Sequence, residues 1–410
     1  MIARFKIDLK IQDILETIKV NRSAVNEFER CFAEKFGFKH AFSYSYGRSA
    51  LKFLIESTGI TKSEIIMSGY TCSVVAHAIV LSGNTPVFVD IDLKDFNPST
   101  KSISNAITSK TRFVILSHTF GFPQNSKKIQ QEIKKYEQKY QHKIWLINDC
   151  AHSFDAQSEK FRVMNYGDAA IFGLNISKSL TSVFGGITVT NNAILARRIT
   201  LLNTKVLQSG TVQREIYQRL YIILAFIAFK RIPYRVTQFL IDKTKLLTRL
   251  TDSYHLDGLI HFPKDSNYKL TLISGQIGLR QLHKYNQLIE NRLKNSEIYN
   301  SELKESNFIT KPRIIEGSTF SHYPVLVSDK TQIRRKMLKK GIECGEVIQY
   351  SIPELESYSK YVFKKYHASL KASNSVINLP INYSQRQTLV ICKQFNQVII
   401  ELENSINAKS

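Results

Sequence analysis

Three short stretches hold residue types that can do chemistry together. Residues 171–190 read IFGLNISKSLTSVFGGITVT, with one lysine, Lys178, in a polar loop between two apolar, strand-like runs. Residues 144–152 read IWLINDCAH, an apolar run that ends at Asp149, with His152 three residues on. Residues 42–49 read FSYSYGRS, where Gly47, Arg48 and Ser49 lead from a strand-like run into a helical one. A glycine at a helix start can present N–H groups to a phosphate. An aspartate at a strand end can pair with a protonated ring nitrogen, and a nearby histidine can bond a phenolate oxygen. A lysine amine kept from water can form a Schiff base.

Each feature alone has an ordinary reading. Gly47 reads as a strand–helix turn, Asp149 as a helix N-cap, His152 as a structural histidine and Lys178 as a surface lysine. Their order and their common placement at strand ends favour the joint reading. One cofactor uses all four groups, pyridoxal 5′-phosphate, whose pyridinium needs an acidic partner and whose aldehyde needs a lysine.

The elements that must position them follow from periodicity. Residues 23–36 repeat apolar positions every third or fourth residue, as a helix does. Strand-like runs AFSYS, EIIMS, TPVFVDI, RFVILSH, KIWLIND, DAAIFGL and GITVT then alternate with helical ones such as RSALKFLIEST, CSVVAHAIVLSG and KKIQQEIKKYEQKY. Runs apolar on both faces predict an α/β fold, a mostly parallel sheet between helices, with function at the strand ends. The division predicted is an N-terminal segment 1–22, a large domain 23–266, and a long helix plus a smaller α+β domain over 267–410. A basic, apolar helical insertion interrupts the large domain at about 193–266. Within it, Val236, Phe239, Leu240, Leu247 and Leu250 share one helical face.

Composition bounds the partners. The 410 residues, 43% hydrophobic, suffice for two or three domains. Five scattered cysteines without a CxxC pair argue against a disulfide framework or zinc ribbon and fit a reducing cytoplasm. No metal site is expected. The first twenty residues lack a signal peptide's apolar core. The most apolar run, Leu220 to Phe229, is half the length of a membrane span and reads as a buried or interfacial helix. The net charge of +23 fits nucleic acid, an anionic membrane or acidic metabolites. No zinc finger, RNA-recognition motif or compact basic helix–turn–helix accompanies it, so nucleic acid is set aside.

The chain resembles the DegT–StrS family of pyridoxal phosphate-dependent sugar aminotransferases, of aspartate aminotransferase fold type I. The resemblance rests on five blocks in order: FERCFAEKFGFKHAFSYSYGRSAL, SGNTPVFVDIDLKDFNPS, NDCAHSFDA, FGLNISKSLTSVFGGITVTNN and NYKLTLISGQIGLRQL. It implies that Lys178 holds the cofactor as a Schiff base and moves protons. Asp149 would keep the pyridinium protonated, and His152 would contact the ring hydroxyl. Gly47, Arg48 and Ser49 would lie at the phosphate, and Asn267 would reach it from the partner subunit of a homodimer. The chain also departs from the family. Arg48 stands for the usual threonine, Gly173 for a phosphate-binding serine (with Asn175 or Ser177 in compensation), and Phe184 for a glutamate. Cys72, near Tyr70, replaces the ring-stacking aromatic.

The reaction implied is ping-pong transamination from an amino donor, by family habit L-glutamate, to a nucleotide-activated keto sugar for glycan or surface polysaccharide synthesis. Two alternatives are other chemistry on the same cofactor, of amino-aromatic synthase or dehydratase type, and a degenerate scaffold in a glycan-assembly complex. Family dehydratases carry histidine at the lysine position, so Lys178 argues against that branch. Residues 205–250 carry nine Lys/Arg against two acids. That imbalance raises an anionic membrane surface as a partner, with the enzyme peripheral to its inner face, against an insertion that packs on the body.

Overall fold

The computed structural model describes residues 1–16, 18–229 and 258–407. Seven strands build the main sheet: β1 (His40–Tyr44), β2 (Glu64–Ser68), β3 (Thr85–Val89), β4 (Thr111–Leu116), β5 (Trp145–Asp149), β8 (Ala169–Gly173) and β9 (Gly186–Thr190). Between β5 and β8 lies a small hairpin, β6 (Gln157–Ser158) and β7 (Phe161–Arg162). The sheet order is β1-β9-β8-β5-β4-β2-β3. Four neighbouring pairs are parallel, as the predicted α/β pattern requires. The exception is β9, antiparallel to both β1 and β8. It is joined to β8 by the Lys178 loop, residues 174–185, which contains no helix to carry a parallel crossover.

Helix Ala24–Phe36 places Phe28, Phe32 and Phe36 on one buried face, four residues apart. It ends at Gly37, whose φ of 77° is the left-handed cap that glycine adopts freely. The face packs on helix Leu272–Glu302, which presents Gly275 and Gly278. A Cβ on Gly278 would lie 2.6 Å from the Phe28 ring, so glycine there lets the helices close.

A second, antiparallel sheet joins β10 (Ile309–Thr310), β11 (Tyr323–Val327) and β12 (Val376–Leu379). Its core is continuous with the first part of the chain. Tyr70, Phe96 and Phe120 pack in the same cluster as Tyr299, Val325 and Ile377. Residues beyond 350 return to the main sheet, where Ile352 and Tyr358 join Leu51 and Val75.

Of the insertion, helices Ala193–Val206 and Val212–Ala228 are described. The helical face expected from Val236 to Leu250 lies outside the described residues. The LYIILAFIAF run is only half buried. Ile222 and Ala225 face the body, while Leu220, Ile223, Leu224 and Ile227 are exposed. Among the described residues, no helix is long and apolar enough to cross a membrane.

The N-terminal segment is not a loose tail. Ile2 bridges to Ile342, the Tyr383 hydroxyl donates to the Ala3 carbonyl at 3.0 Å, and Gln281 donates to the Asp8 carbonyl at 2.7 Å. Ile7, Leu9 and Ile14 pack with Ile222, Ile273 and Ile277.

Candidate active site

Three glycines set the geometry of the site. Helix Gly47–Ser57 starts directly against β8 and β9. A Cβ on Gly186 would lie 2.3 Å from the Gly47 Cα, and a Cβ on Gly47 would lie 3.0 Å from the Gly173 Cα. Helix start, strand end and returning strand therefore meet backbone to backbone. The Lys178 loop crosses this junction. It is closed by an N–H from Leu174 to the Gly185 carbonyl at 2.9 Å and one from Ser182 to Leu174 at 3.0 Å. Gly185 has φ of 120°, which favours glycine. Val183 has φ of 70°, a strained value for a β-branched residue. The Asn175 Oδ1 accepts from the Ser177 N–H at 3.1 Å and its hydroxyl at 2.8 Å, an Asx turn leading into Lys178.

Lys178, Asp149 and His152 converge from two strand ends. Desolvation pushes the Lys178 pKa down, opposed by the charges of Cys72 and Asp149. Burial pushes Asp149 up to about 6, opposed by the Ala151 N–H it accepts at 3.0 Å and by Lys178. His152 is held well below the usual histidine range by burial and by the charges of Lys178 and His322. Its Nδ1 accepts the Phe120 N–H at 3.3 Å, so the proton of the neutral ring sits on Nε2. The ring lies nearly parallel to Phe120, centroids 6.2 Å apart.

Two residues absent from the sequence-based set join them. His322 sits just before β11, its ring centroid 5.4 Å from that of His152. Burial, Arg292 and Lys178 hold it neutral. Arg292, from helix Leu272–Glu302, donates through Nη1 to the Ser321 carbonyl at 2.6 Å. Burial lowers its pKa to about 10. The sequence offers one signal, a histidine that opens the apolar run HYPVLV. Arg292 reads there as one more charge on a long helix. A cavity over Lys178 is lined by Ser177, Arg292 and His322 and, from the N-terminal segment, Arg4 and Lys6.

Other predicted residues serve the neighbourhood differently. The Ser49 hydroxyl donates to the Ser266 carbonyl at 2.7 Å, and Ser45 donates to Asp265 at 2.9 Å. The stretch carrying Asn267 thus closes over the Gly47 turn of its own chain. The Asn267 carbonyl accepts from Gln208 N–H at 2.9 Å. Arg48 is buried, its guanidinium 5.0 Å from the Tyr46 ring and 5.9 Å from Phe262. Cys72 is half-buried at the start of helix Ser73–Leu81. Tyr70 turns into the core, 6.2 Å from Phe120. Phe184 packs on Tyr221 at 4.9 Å, an apolar role that explains why no glutamate stands there.

The set fits pyridoxal phosphate. A desolvated amine lies close enough to a buried carboxylate at a strand end and to a neutral imidazole carrying Nε2–H for its charge to act on both. A Cβ on Gly173 would lie 3.5 Å from the Lys178 Cε, so this glycine leaves room beside the amine.

Residues 6–391 match the DegT/DnrJ/EryC1/StrS aminotransferase family. GDP-perosamine synthase of Escherichia coli O157:H7 is 24% identical over 379 residues, covering 91% of this chain and 89% of that protein. dTDP-4-amino-4,6-dideoxy-D-glucose transaminase of Shigella dysenteriae is 24% identical over 358 residues, covering 85% and 83%. Among solved structures, the fold is similar to Helicobacter pylori PseC, an aminotransferase involved in the biosynthesis of pseudoaminic acid. There the TM-score is 0.75 at 19% identity, with 98% of this chain and 99% of that one covered. Sugar aminotransferase CalS13 from Micromonospora echinospora gives a TM-score of 0.76 at 16% identity, covering 97% and 100%. The chain belongs to the DegT/DnrJ/EryC1/StrS aminotransferase family and is a pyridoxal phosphate-dependent aminotransferase.

Proposed function

We propose that this aminotransferase moves an amino group from L-glutamate to a keto sugar carried on a nucleoside diphosphate, for glycan synthesis. The observation that carries the reading is the convergence of Lys178, Asp149 and His152 at strand ends beside the glycine-tight start of helix Gly47–Ser57. The nucleotide-sugar relatives support the acceptor class.

When bound, pyridoxal phosphate supplies an aldehyde that captures amines and a ring that accepts electrons. Lys178 would hold the cofactor through its amine, and the desolvation that lowers its pKa would suit Nζ to take and return a substrate proton. The buried Asp149 carboxylate would pair with the ring nitrogen and favour its protonated form. The His152 Nε2–H would donate to the ring oxygen. The first N–H groups of helix Gly47–Ser57, with Ser177 and Asn175, would hold the phosphate. The active site is shared in a homodimer, Asn267 completing the phosphate site of the other copy.

Purified protein with pyridoxal phosphate should show the visible band of a lysine-bound cofactor. L-Glutamate should bleach it and a nucleotide keto sugar should restore it. Lys178→Ala should lack the band. A wild type without the band, or one that glutamate never bleaches, overturns the reading. Sharing is tested by mixing: inactive Lys178→Ala and Asn267→Ala proteins should regain activity when co-refolded.

A peripheral location at the inner face of an anionic membrane is a second reading. It is favoured by the exposed stripe Val212, Ile216, Leu220, Leu224 and Ile227, which leads into the basic stretch that ends at residue 250. Flotation with phosphatidylglycerol vesicles tests it, and absence of binding removes it.

A further inference from the structure

The turn from β1 into helix Gly47–Ser57 has a second set of partners besides the glycine junction. The Ser45 N–H donates to the Tyr268 carbonyl at 3.2 Å. The Ser45 hydroxyl donates to the carbonyls of Asp265 at 2.9 Å and Ser266 at 3.2 Å, and the Ser49 hydroxyl donates to Ser266 at 2.7 Å. The Tyr46 hydroxyl donates to the Asp265 Oδ1 at 2.8 Å. Residues on both sides of Gly47 are therefore tied to one short segment, 265–268. Ser45, Ser49 and Ser266 are all buried.

That segment lies outside the helices and strands, so it needs partners of its own. Gln208 pairs with it along the backbone. Its N–H donates to the Asn267 carbonyl and its carbonyl accepts the Lys269 N–H, both at 2.9 Å. Arg214, in the first turn of helix Val212–Ala228, supplies the side-chain half. Its Nη1 donates to the Lys269 carbonyl at 3.0 Å, and its guanidinium lies 5.2 Å from the Tyr268 ring centre. Its Nε lies 3.3 Å from the Asp265 Oδ2, and 10% of the Arg214 side chain is exposed. Asp265 thus spends one oxygen on the insertion helix and the other on Tyr46, the residue before Gly47. A carboxylate shared between a guanidinium and a phenol fixes the distance between the two elements that carry them.

We propose that Arg214 and Asp265 are positioning residues for the cofactor phosphate. They brace the Tyr46–Ser49 turn so that the first N–H groups of helix Gly47–Ser57 keep a common direction. The inference rests on the reading of that turn as the phosphate site. Backbone donors grip an anion well only when they are held in place beforehand, so a turn free to rock binds it more weakly. The brace gives the insertion a part in holding the cofactor, separate from any membrane contact.

The test uses the full-length protein, titrated with pyridoxal phosphate and with pyridoxal, which has the same ring and aldehyde but no phosphate. The visible band reports binding of both. Tyr46→Phe removes the hydrogen bond to Asp265 and keeps the ring beside Arg48. Arg214→Gln removes the ion pair. Each variant should bind pyridoxal phosphate about tenfold more weakly and pyridoxal within about twofold of wild type. A general loosening of the site would weaken both ligands alike, and that outcome overturns the brace. Wild-type affinity for pyridoxal phosphate in either variant also overturns it and leaves the phosphate reading of the turn intact. If Arg214→Gln does not fold, Tyr46→Phe decides alone. A wild type that binds both ligands equally, or neither, removes the phosphate reading and the brace with it.

Discussion

His152 and His322 face each other with ring centroids 5.4 Å apart, although 170 positions separate them in the chain. One follows the end of β5 and the other precedes β11, so the two sheets meet at the active site. Only His152 has a fixed donor geometry, because Phe120 occupies its Nδ1. The two should therefore fail differently. His152→Phe removes the Nε2–H donor and should weaken cofactor binding about tenfold while shifting the visible band. His322→Phe should leave cofactor binding within about twofold and lower turnover. Cofactor titration and single-turnover bleaching by L-glutamate separate the two, and equal cofactor loss in both variants would contradict the assignment.

The glycine junction gives a contrast between two small substitutions. Gly186→Ala puts a Cβ 2.3 Å from the Gly47 Cα, backbone against backbone, with nothing flexible to yield. It should destabilise the protein by about 3 kcal/mol or prevent folding. Gly173→Ser meets only ordinary contacts, 3.4 Å from the Ala151 Cβ and 3.5 Å from the Lys178 Cε. It should fold normally and, by adding a hydroxyl beside the lysine, release pyridoxal phosphate several-fold more slowly. Thermal melts and cofactor off-rates read both effects.

Asp13 anchors the N-terminal segment. Its Oδ1 lies 2.6 Å from Arg280 Nε, its Oδ2 2.6 Å from Lys284 Nζ, and it is almost wholly buried. Burial pushes its pKa up, but the two cations and the Lys10 N–H outweigh that and hold it below the usual carboxylate value of 3.8. The stability it provides is present above that value and is lost as pH falls through the lower folded pKa. Asp13→Ala removes the buried carboxylate that Arg280 and Lys284 share and should cost about 3 kcal/mol in denaturant titrations at neutral pH. The variant should also become sensitive to proteolysis within residues 1–16.

His118 is a buried neutral histidine outside the proposed catalytic set. Gln124 donates to its Nδ1 at 3.0 Å, and its Nε2–H reaches the Asn148 Oδ1 at 2.9 Å. Burial lowers its pKa to about 4, against 6.5 when unfolded. The unfolded chain therefore takes up a proton first, and stability falls as pH drops from 6.5 towards 4, by about 3 kcal/mol at the full shift. In His118→Gln the slope of stability against pH over this window should be shallower by one proton. An unchanged slope would show that other groups carry the acid sensitivity.

The sequence by itself determined the strand–helix alternation, the three strand ends and the lysine, aspartate and histidine on them. These are local properties. Alternation comes from apolar periodicity, and strand ends from the polar residues that stop it, as in NDCAH and NISK. Tertiary structure alone decided the rest. His322 and Arg292 reach the site only because β11 and the long helix fold back beside β5, a contact that no spacing encodes. The Ser49 hydroxyl, assigned by pattern to a phosphate, is tied to Ser266, more than two hundred positions away. The N-terminal segment lies against the body because Ile7 and Leu9 pack with Ile222, Ile273 and Ile277. Which residues of that segment are buried depends on partners distant in the chain, and no local spacing encodes them.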